Sequence, residues 1–524
     1  MRWRNAGTPN PPGRRPDMAC QPEVSRRGKP HILLYNPKVA TPGYHRLPHS
    51  LLQLGALLEG RYPYAIVDGN LCQHRDHAAD IIEQVQACGT RYLGVTVMPG
   101  PQLQRAVPDI RRIKAACPDL TIVVGGYFPT SHAATCALHP AVDYVVVGPG
   151  EDTLLELIDA LESGSDPAGV AGLAFERGGE VVRTAARKPR HPDDLPRFPY
   201  HRVPVEQYVA KTHLGARTLS HHSSFGCPFF CNFCAVVTMA EGKWLGESAE
   251  RLGALMQHMV DTWRIDAIEF HDNNFFTSEK RVAAFCHELL RRGLKLAWWG
   301  EGRIDTMLKF SERTWELMRD SGLAMVFLGA ESGDDATLKL MNKGGTLTAD
   351  KTLQLAARAR TYGIVPEFSF ILGNPPDSRR DVERGIEFIR RVKAVNPQAE
   401  IIMYRYDPVP LAGEMWQGAV ESGFDFPRTL DEWVDPHWER VQLRRSADIP
   451  WFSKDDRTLM RDFETVMNAY YPTSTDRRVR SGVWFAVLRV LSWWRYKARV
   501  YRWPFELEAL QNLIRYQRPE TSGF

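Results

Sequence analysis

Three cysteines lie close together in one short segment of the chain. Cys227, Cys231 and Cys234 follow a C-x3-C-x2-C spacing within the run Ser223–Cys234. Three thiolates on one tight loop can ligate three irons of a four-iron cluster, because closely spaced cysteines are the usual ligands of iron–sulfur centres. The fourth iron then has no protein ligand, so such a site can bind a reagent as well as carry an electron.

Two other interpretations of these cysteines stay open. A zinc site normally takes four ligands, often as two C-x2-C pairs. The chain has no second pair, but His221 or His222 could supply the fourth ligand. The cysteines could also be buried structural residues, although three in eight residues flanked by Gly and Pro is a poor core pattern. The number and spacing of the thiolates therefore favour the iron–sulfur cluster.

The composition is that of a globular protein with more than one domain. The chain has 524 residues, which is too many for a single hydrophobic core, and 44% of them are hydrophobic. A formal net charge of +4 gives no argument for a nucleic-acid partner. The other six of the nine cysteines are scattered singly, which indicates a reducing compartment, and we expect a cytoplasmic protein.

Residues 29–164 alternate between strand-like and helix-like segments. Apolar runs such as His31–Tyr35 and Tyr92–Val97 are separated by segments with leucines at helical spacing, for example residues 49–60. Repeated strand–helix units predict a doubly wound, Rossmann-like parallel sheet, in which ligands bind at the carboxyl ends of the strands. The candidate ligand contacts at those ends are Gly125, Gly126, Gly148, Gly150 and Glu151.

Residues 216–410 repeat the strand–helix pattern with six predicted strands. The first, Thr218–Ser223, precedes the cysteines, and the last includes Ile401–Tyr404. Six parallel strands with helices outside predict a partial, open (β/α)6 barrel whose strand-end loops gather at its mouth. Helix capping is the ordinary alternative for a polar residue in such a place. Polar side chains at the predicted strand ends include Glu269, His271, Asp272, Asn273, Asn274, Glu301, Arg303 and Glu331.

Three further stretches carry no chemical motif. Residues 1–28 are rich in Arg, Pro and Gly without an apolar run, which predicts a disordered tail rather than a signal peptide. Residues 165–215 predict a short β-hairpin followed by an extended linker, and residues 411–524 a helical C-terminal region rich in Trp. No stretch of 18 uncharged apolar residues occurs, so no transmembrane helix is expected.

The C-terminal region is also basic. From Arg477 to Arg518 it carries ten Lys or Arg and two Glu. Ser481–Arg502 predicts a basic helix with large apolar side chains near one face, which could lie on an anionic membrane surface. The alternative is a packed terminal helix with a solvated basic side. The residues predicted near that apolar face are Trp484, Phe485, Leu488, Leu491 and Trp494.

The cysteine spacing, with Phe233 before the last cysteine, resembles the signature of the radical S-adenosylmethionine (SAM) superfamily. The resemblance implies a [4Fe-4S] cluster whose open iron chelates SAM, and a 5′-deoxyadenosyl radical formed when the cluster donates an electron. It also implies that Phe233 contacts the adenine of SAM, that Asp272 and Asn273 contact its amino group, and that Glu331 contacts its ribose.

Residues 29–164 resemble the cobalamin-binding domain that is fused to one large class of radical SAM enzymes. One departure is that the D-x-H-x-x-G motif, whose His ligates cobalt in many cobalamin proteins, is absent from the loop Pro37–Pro48, although His45 and His49 lie there or beside it. Cobalamin would then bind without a His from that motif. The alternative is a flavodoxin-like domain that has lost its cofactor or binds another nucleotide. The matching residues, in order, are Pro48, Leu51–Leu58, Asp68–Asn70, Val124–Gly126 and Asp143–Glu151.

Together the two resemblances imply a cobalamin-dependent radical SAM enzyme. A methyltransferase acting at an unactivated carbon or phosphorus of a small-molecule or natural-product substrate fits best, with a reductase or a flavodoxin-type protein as electron donor. A cyclase or ring-rearranging enzyme on the same scaffold, similar to the anaerobic magnesium-porphyrin cyclase, is the main alternative. A zinc-stabilised binding protein without catalysis is the third. The sequence names neither the substrate nor a catalytic residue.

Overall fold

A computed structural model describes most of the chain. The residues described are 31–39, 46–343, 345–409, 414–441, 449–472 and 482–513. The predicted tail at residues 1–28 lies outside them. Within these ranges, every helix is too short or too polar to cross a lipid bilayer.

The first sheet has seven strands in the order β2-β1-β3-β4-β5-β6-β7, and the strands β1 to β5 are parallel. Its strands are β1 (His31–Asn36), β2 (Tyr64–Asp68), β3 (Thr90–Thr96), β4 (Thr121–Gly125), β5 (Tyr144–Val146), β6 (Leu173–Arg177) and β7 (Glu180–Arg183). Leu33 and Tyr35 of β1 are buried on one face of the sheet. Ile32 and Leu34 are buried on the other, as expected for a parallel strand covered on both sides. The strand order reverses between β1 and β3, which opens a cleft at their carboxyl ends.

Helices cover both faces of this sheet. They are α1 (His49–Leu58), α2 (His77–Cys88), α3 (Pro101–Ala116), α4 (Tyr127–Ser131), α5 (Ala133–Ala137) and α6 (Glu151–Ser163). The predicted hairpin is present as β6 and β7, and it adds two antiparallel strands to the edge of the sheet beyond β5. The linker that follows is extended, with short 3₁₀ turns at Pro192–Asp194, Tyr200–Arg202 and Val205–Gln207.

The second sheet has six parallel strands in the order β15-β14-β13-β12-β11-β8, so that β8 and β15 form its two edges. A separate two-stranded antiparallel ribbon joins β9 to β10. The sequence did not predict this ribbon. The strands are β8 (Thr218–His221), β9 (Ser224–Gly226), β10 (Trp244–Gly246), β11 (Ala267–Phe270), β12 (Ala297–Gly302), β13 (Leu323–Glu331), β14 (Val365–Leu372) and β15 (Glu400–Arg405).

The helices of the barrel lie between these strands in the chain. They are α7 (Val236–Ala240), α8 (Ala249–Trp263), α9 (Glu279–Arg291), α10 (Ile304–Met307), α11 (Glu312–Asp320), α12 (Asp335–Leu340), α13 (Ala349–Tyr362) and α14 (Ser378–Val395). Most begin at a side chain that caps the first turn, such as Ser248 before α8 and Thr348 before α13. The predicted open (β/α)6 barrel behind a doubly wound sheet is confirmed.

The two sheets are joined by a common hydrophobic core. Leu47 and Leu52, at the start of α1, are buried in the same cluster as Ile268 and Phe270 of the barrel. Tyr200, Val203, Val205 and Tyr208 of the linker belong to that cluster as well, whereas Leu195 packs in a core of the first sheet. The first domain therefore packs directly against the barrel.

The C-terminal region is helical, as predicted. Its helices are α15 (Glu414–Glu421), α16 (Leu430–Trp433), α17 (Pro436–Val441), α18 (Lys454–Tyr470), α19 (Gly482–Ala498) and α20 (Phe505–Leu513). The ring of Trp433 lies 5.3 Å from that of Phe128 in α4, so α16 packs on the first domain. The predicted basic helix is α19. Its expected apolar face is divided, since Leu488 is fully buried whereas Leu491 and Trp494 are exposed.

Candidate functional site

The cysteine loop lies between β9 and α7, and the β9–β10 ribbon closes it. Gly226 ends β9 with φ 79°, and a Cβ atom there would overlap the carbonyl of Lys243, so only glycine fits. Asn232 donates from its backbone to the carbonyl of Met341 at 2.9 Å. Asn342 donates from its side chain to the carbonyl of Phe230 at 2.8 Å. The loop is thereby held to the segment that follows α12.

Hydrogen-bond donors and positive charge surround the cysteine sulfurs. Nη1 of Arg303 lies 3.4 Å from Sγ of Cys231, and Nδ2 of Asn274 lies 3.8 Å from Sγ of Cys227. Burial raises the pKa of Cys234 to about 11. It also raises the pKa of Cys231, against the opposing effect of Lys343 and Arg303. A metal centre must therefore displace protons here, and these donors suit the sulfur ligands of an iron–sulfur cluster.

The histidines that could complete a zinc site lie beside other groups. In the part of the chain that the structure describes, no three His, Cys, Asp or Glu side chains converge to hold one metal ion. His221 instead pairs with Glu247, with Nε2 3.2 Å from Oε2. The ring of His222 lies 5.0 Å from that of His49. One ring nitrogen of His221 is thus engaged by a carboxylate, and His222 packs against another histidine ring.

Glu331 and Phe233, two of the predicted SAM contacts, meet around one lysine. Glu331 ends β13 with φ 60°, and its carboxylate forms an ion pair with Lys343. It also accepts a hydrogen bond from Oγ of Ser369 at 3.3 Å. Nζ of Lys343 lies 5.3 Å from the centre of the Phe233 ring. Their assigned contacts with ribose and adenine stay predictions, but the two residues share one neighbourhood beside the cysteines.

Asp272 holds the strand that leads into the cysteine loop. Its side chain is fully buried, and it accepts hydrogen bonds from Oγ of Ser223 at 2.6 Å and Oγ of Ser224 at 2.7 Å. Arg281 donates to the same Ser223 hydroxyl at 2.7 Å. Asn273 follows and is exposed. A SAM contact of Asp272 or Asn273 stays a prediction, while the structure gives Asp272 a positioning role.

The glycine pair of the first domain lies at the carboxyl end of β4. Gly126 has φ 101°, and a Cβ atom there would lie 3.2 Å from the backbone nitrogen and oxygen of Val97. A Cβ atom on Gly125 adds only an ordinary contact, 3.4 Å from Cβ of Val146. Packing of the sheet therefore accounts for Gly126, and its contact with a cofactor stays a prediction.

The two glycines of the second segment, Gly148 and Gly150, have different surroundings. Gly148 has φ 81° and nothing within 4 Å of a Cβ position, so its open side faces free space at the edge of the sheet. A Cβ atom on Gly150 would lie 3.3 Å from Cδ2 of Leu54. Glu151 begins α6, and burial raises the pKa of its carboxyl. Of these three residues, Gly148 offers the clearest close approach to a ligand.

The cleft between β1 and β3 has two polar residues that the sequence did not identify. Oγ of Ser50, in the first turn of α1, lies 3.5 Å from Oγ1 of Thr96, which ends β3. Met98 follows and is 47% exposed. This open edge, with free space beside Gly148, fits a large ligand such as cobalamin. His45, considered for cobalt, lies outside the described residues. No motif points to Ser50 and Thr96, and only the strand order places them together.

The helix that follows the glycine pair contacts the helix that follows the cysteine loop. Helix α4 follows Gly126 and packs on α7, with Oγ of Ser131 2.9 Å from Oγ1 of Thr238. Burial, and then the neighbouring Cys234, raise the pKa of Tyr127. The two predicted cofactor sites therefore adjoin, and Tyr127 lies between them. No motif in the sequence indicates a role for this residue.

Histidines from both domains lie close together at the carboxyl ends of the barrel strands β8 and β11. The rings of His222 and His271 are 6.2 Å apart, and the ring of His49 in α1 lies 5.0 Å from that of His222. Burial, and then the neighbouring His271, His221 and Arg46, lower the pKa of His222 to about 3, so it is neutral at pH 7. His271 lies between two carboxylates, 3.2 Å from Glu269 and 3.8 Å from Glu301. These groups can hold or orient a polar substrate.

Comparison with known families agrees with this geometry. Residues 222–389 match the radical SAM superfamily, and residues 39–158 match the B12 binding domain. The "Uncharacterized methyltransferase PH0819" of Pyrococcus horikoshii is 28% identical over 348 residues, which are 66% of this chain and 73% of that protein. The "Anaerobic magnesium-protoporphyrin IX monomethyl ester cyclase" of Synechocystis is 26% identical, over 58% of this chain and 60% of the cyclase. The chain thus spans less than two thirds of the cyclase.

A solved structure shows the same fold. The radical SAM methyltransferase TsrM of Kitasatospora setae, determined with cobalamin and a [4Fe-4S] cluster, superposes with a TM-score of 0.61 at 20% identity. The superposition covers 75% of this chain and 78% of TsrM. The predicted set of cofactors, a [4Fe-4S] cluster, SAM and cobalamin, agrees with both family matches and with the donors found at each site. With a B12-binding domain packed against a barrel that carries the three cysteines, this chain has the domain composition of the cobalamin-binding class of the radical SAM superfamily.

Proposed function

We propose that the protein is a methyltransferase that acts on an unactivated carbon or phosphorus centre of a small molecule. The observation that carries the proposal is the contact between α4, which follows the glycine pair, and α7, which follows the cysteines. When bound, the cluster with SAM supplies hydrogen-atom abstraction and cobalamin supplies a methyl group. Methyl transfer to such a centre needs both at one substrate, and the fold brings the two sites together.

The chain's own residues hold and shield this junction. Arg303 and Asn274 donate to cysteine sulfurs, and Asp272 fixes the strand before them. The C-terminal region covers one part of the mouth, because Nε1 of Trp451 donates to the carbonyl of Gly373 at 3.0 Å. Shielding the mouth matters here, since a radical reaction must avoid competing hydrogen-atom donors from solution.

The polar groups of the lumen are the candidates for binding substrate. His271 with Glu269 and Glu301 faces the junction of the two domains, and Nε1 of Trp299 donates to Glu367 deeper in the barrel at 3.1 Å. We further propose a flavodoxin-type protein or a reductase as electron donor, and a cytoplasmic location, which the scattered cysteines support.

The reaction is tested by the two products of SAM. With a strong reductant, the reconstituted enzyme and its substrate are expected to give 5′-deoxyadenosine and S-adenosylhomocysteine together, because one SAM is cleaved and another donates methyl. Both products are quantified by chromatography and mass spectrometry, with methyl-labelled SAM. Deoxyadenosine alone, with cobalamin bound, would instead support a cyclase or a rearrangement. Neither product with any candidate substrate would contradict catalysis.

Arg303 is expected to raise the reduction potential of the cluster. A reduced cluster would carry one more negative charge, and the guanidinium beside Cys231, which also pairs with Asp305, would stabilise it. Replacing Arg303→Gln should lower the potential by on the order of 100 mV, as for a unit charge several ångströms away at an effective dielectric constant of about 20. An anaerobic redox titration measures it. Arg303→Lys keeps the charge and should shift the potential less. An unchanged potential in Arg303→Gln with full iron content would contradict the role.

A further inference from the structure

Helix α19 and the segment after it expose an unusual amount of apolar surface. Nine of the sixteen exposed large hydrophobic side chains found in the described residues fall between Val483 and Phe505. Four on the outward side of α19 are Val483, Val490, Trp493 and Trp494, with exposed fractions of 69%, 72%, 56% and 48%. Monomeric proteins rarely expose apolar patches of this kind unless they bind something. We define residues 483–505 as the aromatic strip.

The inward side of α19 is already packed. Leu488 and Ser492 are fully buried, and the ring of Tyr496 stacks on that of Tyr470 in α18 at 4.5 Å. Nη1 of Arg390 in α14 donates to the carbonyl of Tyr496 at 2.6 Å. The helix is therefore apolar on both sides, a property of helices that are covered all round. None of the residues that the structure describes covers its outward side.

The charge of the aromatic strip indicates which kind of partner would bind to it. Residues 483–505 contain five Lys or Arg and no Asp or Glu. Three of the five pair with acids elsewhere in the chain, for example Arg499 with Glu387 at 3.1 Å. Arg489 and Lys497 are exposed beside the apolar face, and each lies 6.0 Å from the ring of Tyr470. A second copy would bring the same cations face to face, which disfavours self-association.

We propose that the aromatic strip binds the surface of an anionic phospholipid membrane, with α19 lying in the plane of the interface. Trp side chains favour the headgroup level because one end of the indole is apolar and the other polar. Exposed cations beside an apolar helix face add attraction to anionic lipids. The strip lies outside the barrel, because α19 packs on α18 and α18 packs on α14. Membrane binding is thus separable from the cysteine site.

Vesicle co-sedimentation of the reconstituted full chain tests the proposal. The chain is expected to bind phosphatidylcholine vesicles that contain phosphatidylglycerol, to bind phosphatidylcholine alone more weakly, and to dissociate as salt rises. The double variant Val490→Glu with Trp493→Glu should weaken binding at least about tenfold, because it places two like charges against the anionic surface. Its iron content should remain unchanged. Lys497→Gln should reduce only the dependence on anionic lipid.

A matched control distinguishes vesicle binding through this surface from nonspecific hydrophobic adsorption. Leu138 and Leu290 are 56% and 42% exposed but lie outside the strip, so Leu138→Glu with Leu290→Glu should leave vesicle binding unchanged. Failure of the wild-type chain to bind anionic vesicles would overturn the proposal, whatever the variants do. Equal losses in both double variants would also overturn it. A wild-type dimer that Val490→Glu with Trp493→Glu converts to monomer, without vesicle binding, would assign the strip to a second copy instead.

Discussion

Replacing Cys227, Cys231 and Cys234 together by Ala is expected to remove the iron–sulfur cluster completely. The anaerobically reconstituted wild-type chain should hold about four irons, the number of a cluster with three cysteine ligands and one open iron. The triple variant should hold background iron only, and formation of 5′-deoxyadenosine should fall below detection. Iron and acid-labile sulfide analysis measures the first effect, and product chromatography measures the second.

The scattered cysteines supply the matched control. Cys72, Cys88 and Cys117 are partly buried, like Cys227 and Cys234, and all three lie in the first domain. The variant with these three changed to Ala should keep its iron and its deoxyadenosine formation. Full iron content in the variant that lacks Cys227, Cys231 and Cys234 would contradict the assignment. So would colourless wild-type protein that carries zinc.

Much of the fold could be predicted because its strands are buried on both faces. Runs such as Ile32–Tyr35 are continuously apolar, which is typical of a parallel sheet between two layers of helices. The order of strand and helix then fixes the architecture, since parallel strands need helical crossovers. The ribbon β9–β10 escaped prediction because three-residue strands such as Ser224–Gly226 show no periodicity. The docking of the hairpin on the first sheet is a long-range contact without a local signal.

The sequence predicts the part of the candidate site whose residues are contiguous. It does not predict the part whose residues come together from distant segments of the chain. The cysteines are contiguous, so their spacing alone shows the chemistry. Arg303 and Asn274 were expected at strand ends, but nothing local shows that they donate to sulfur, because each lies more than about forty residues along the chain from its partner. Tyr127 lies between the sites only because α4 packs on α7. Such roles depend on topology.

The structure also changes how the cobalamin site should be tested. Deleting the first domain would remove Leu47 and Leu52 from the core that they share with the barrel and would uncover Ile268 and Phe270, so a shortened chain would lose stability along with any ligand. Enlarging Gly126 would press on the backbone of Val97 and strain a φ of 101°. Neither change would distinguish a lost ligand from a disturbed fold. A substitution at an exposed position of the cleft is needed instead.

Ser50→Trp is expected to reduce corrinoid binding at least about tenfold while leaving the iron content unchanged. Ser50 is exposed at the open end of the cleft between β1 and β3, next to Thr96. An indole there would occupy space that a large ligand at the carboxyl ends must fill, and little else would be disturbed. Equilibrium dialysis with hydroxocobalamin, followed by absorption spectroscopy, measures the effect.

Ser163→Trp is the matched control for this substitution. Ser163 is exposed at the last turn of α6, at the opposite edge of the sheet from the strands' carboxyl ends. The same change of side chain there should leave corrinoid binding as in the wild type. If Ser50→Trp binds corrinoid as the wild type does, the ligand does not occupy this cleft. If the wild-type chain binds none, the first domain serves another nucleotide or none, and the proposed methyl transfer through cobalamin fails with it.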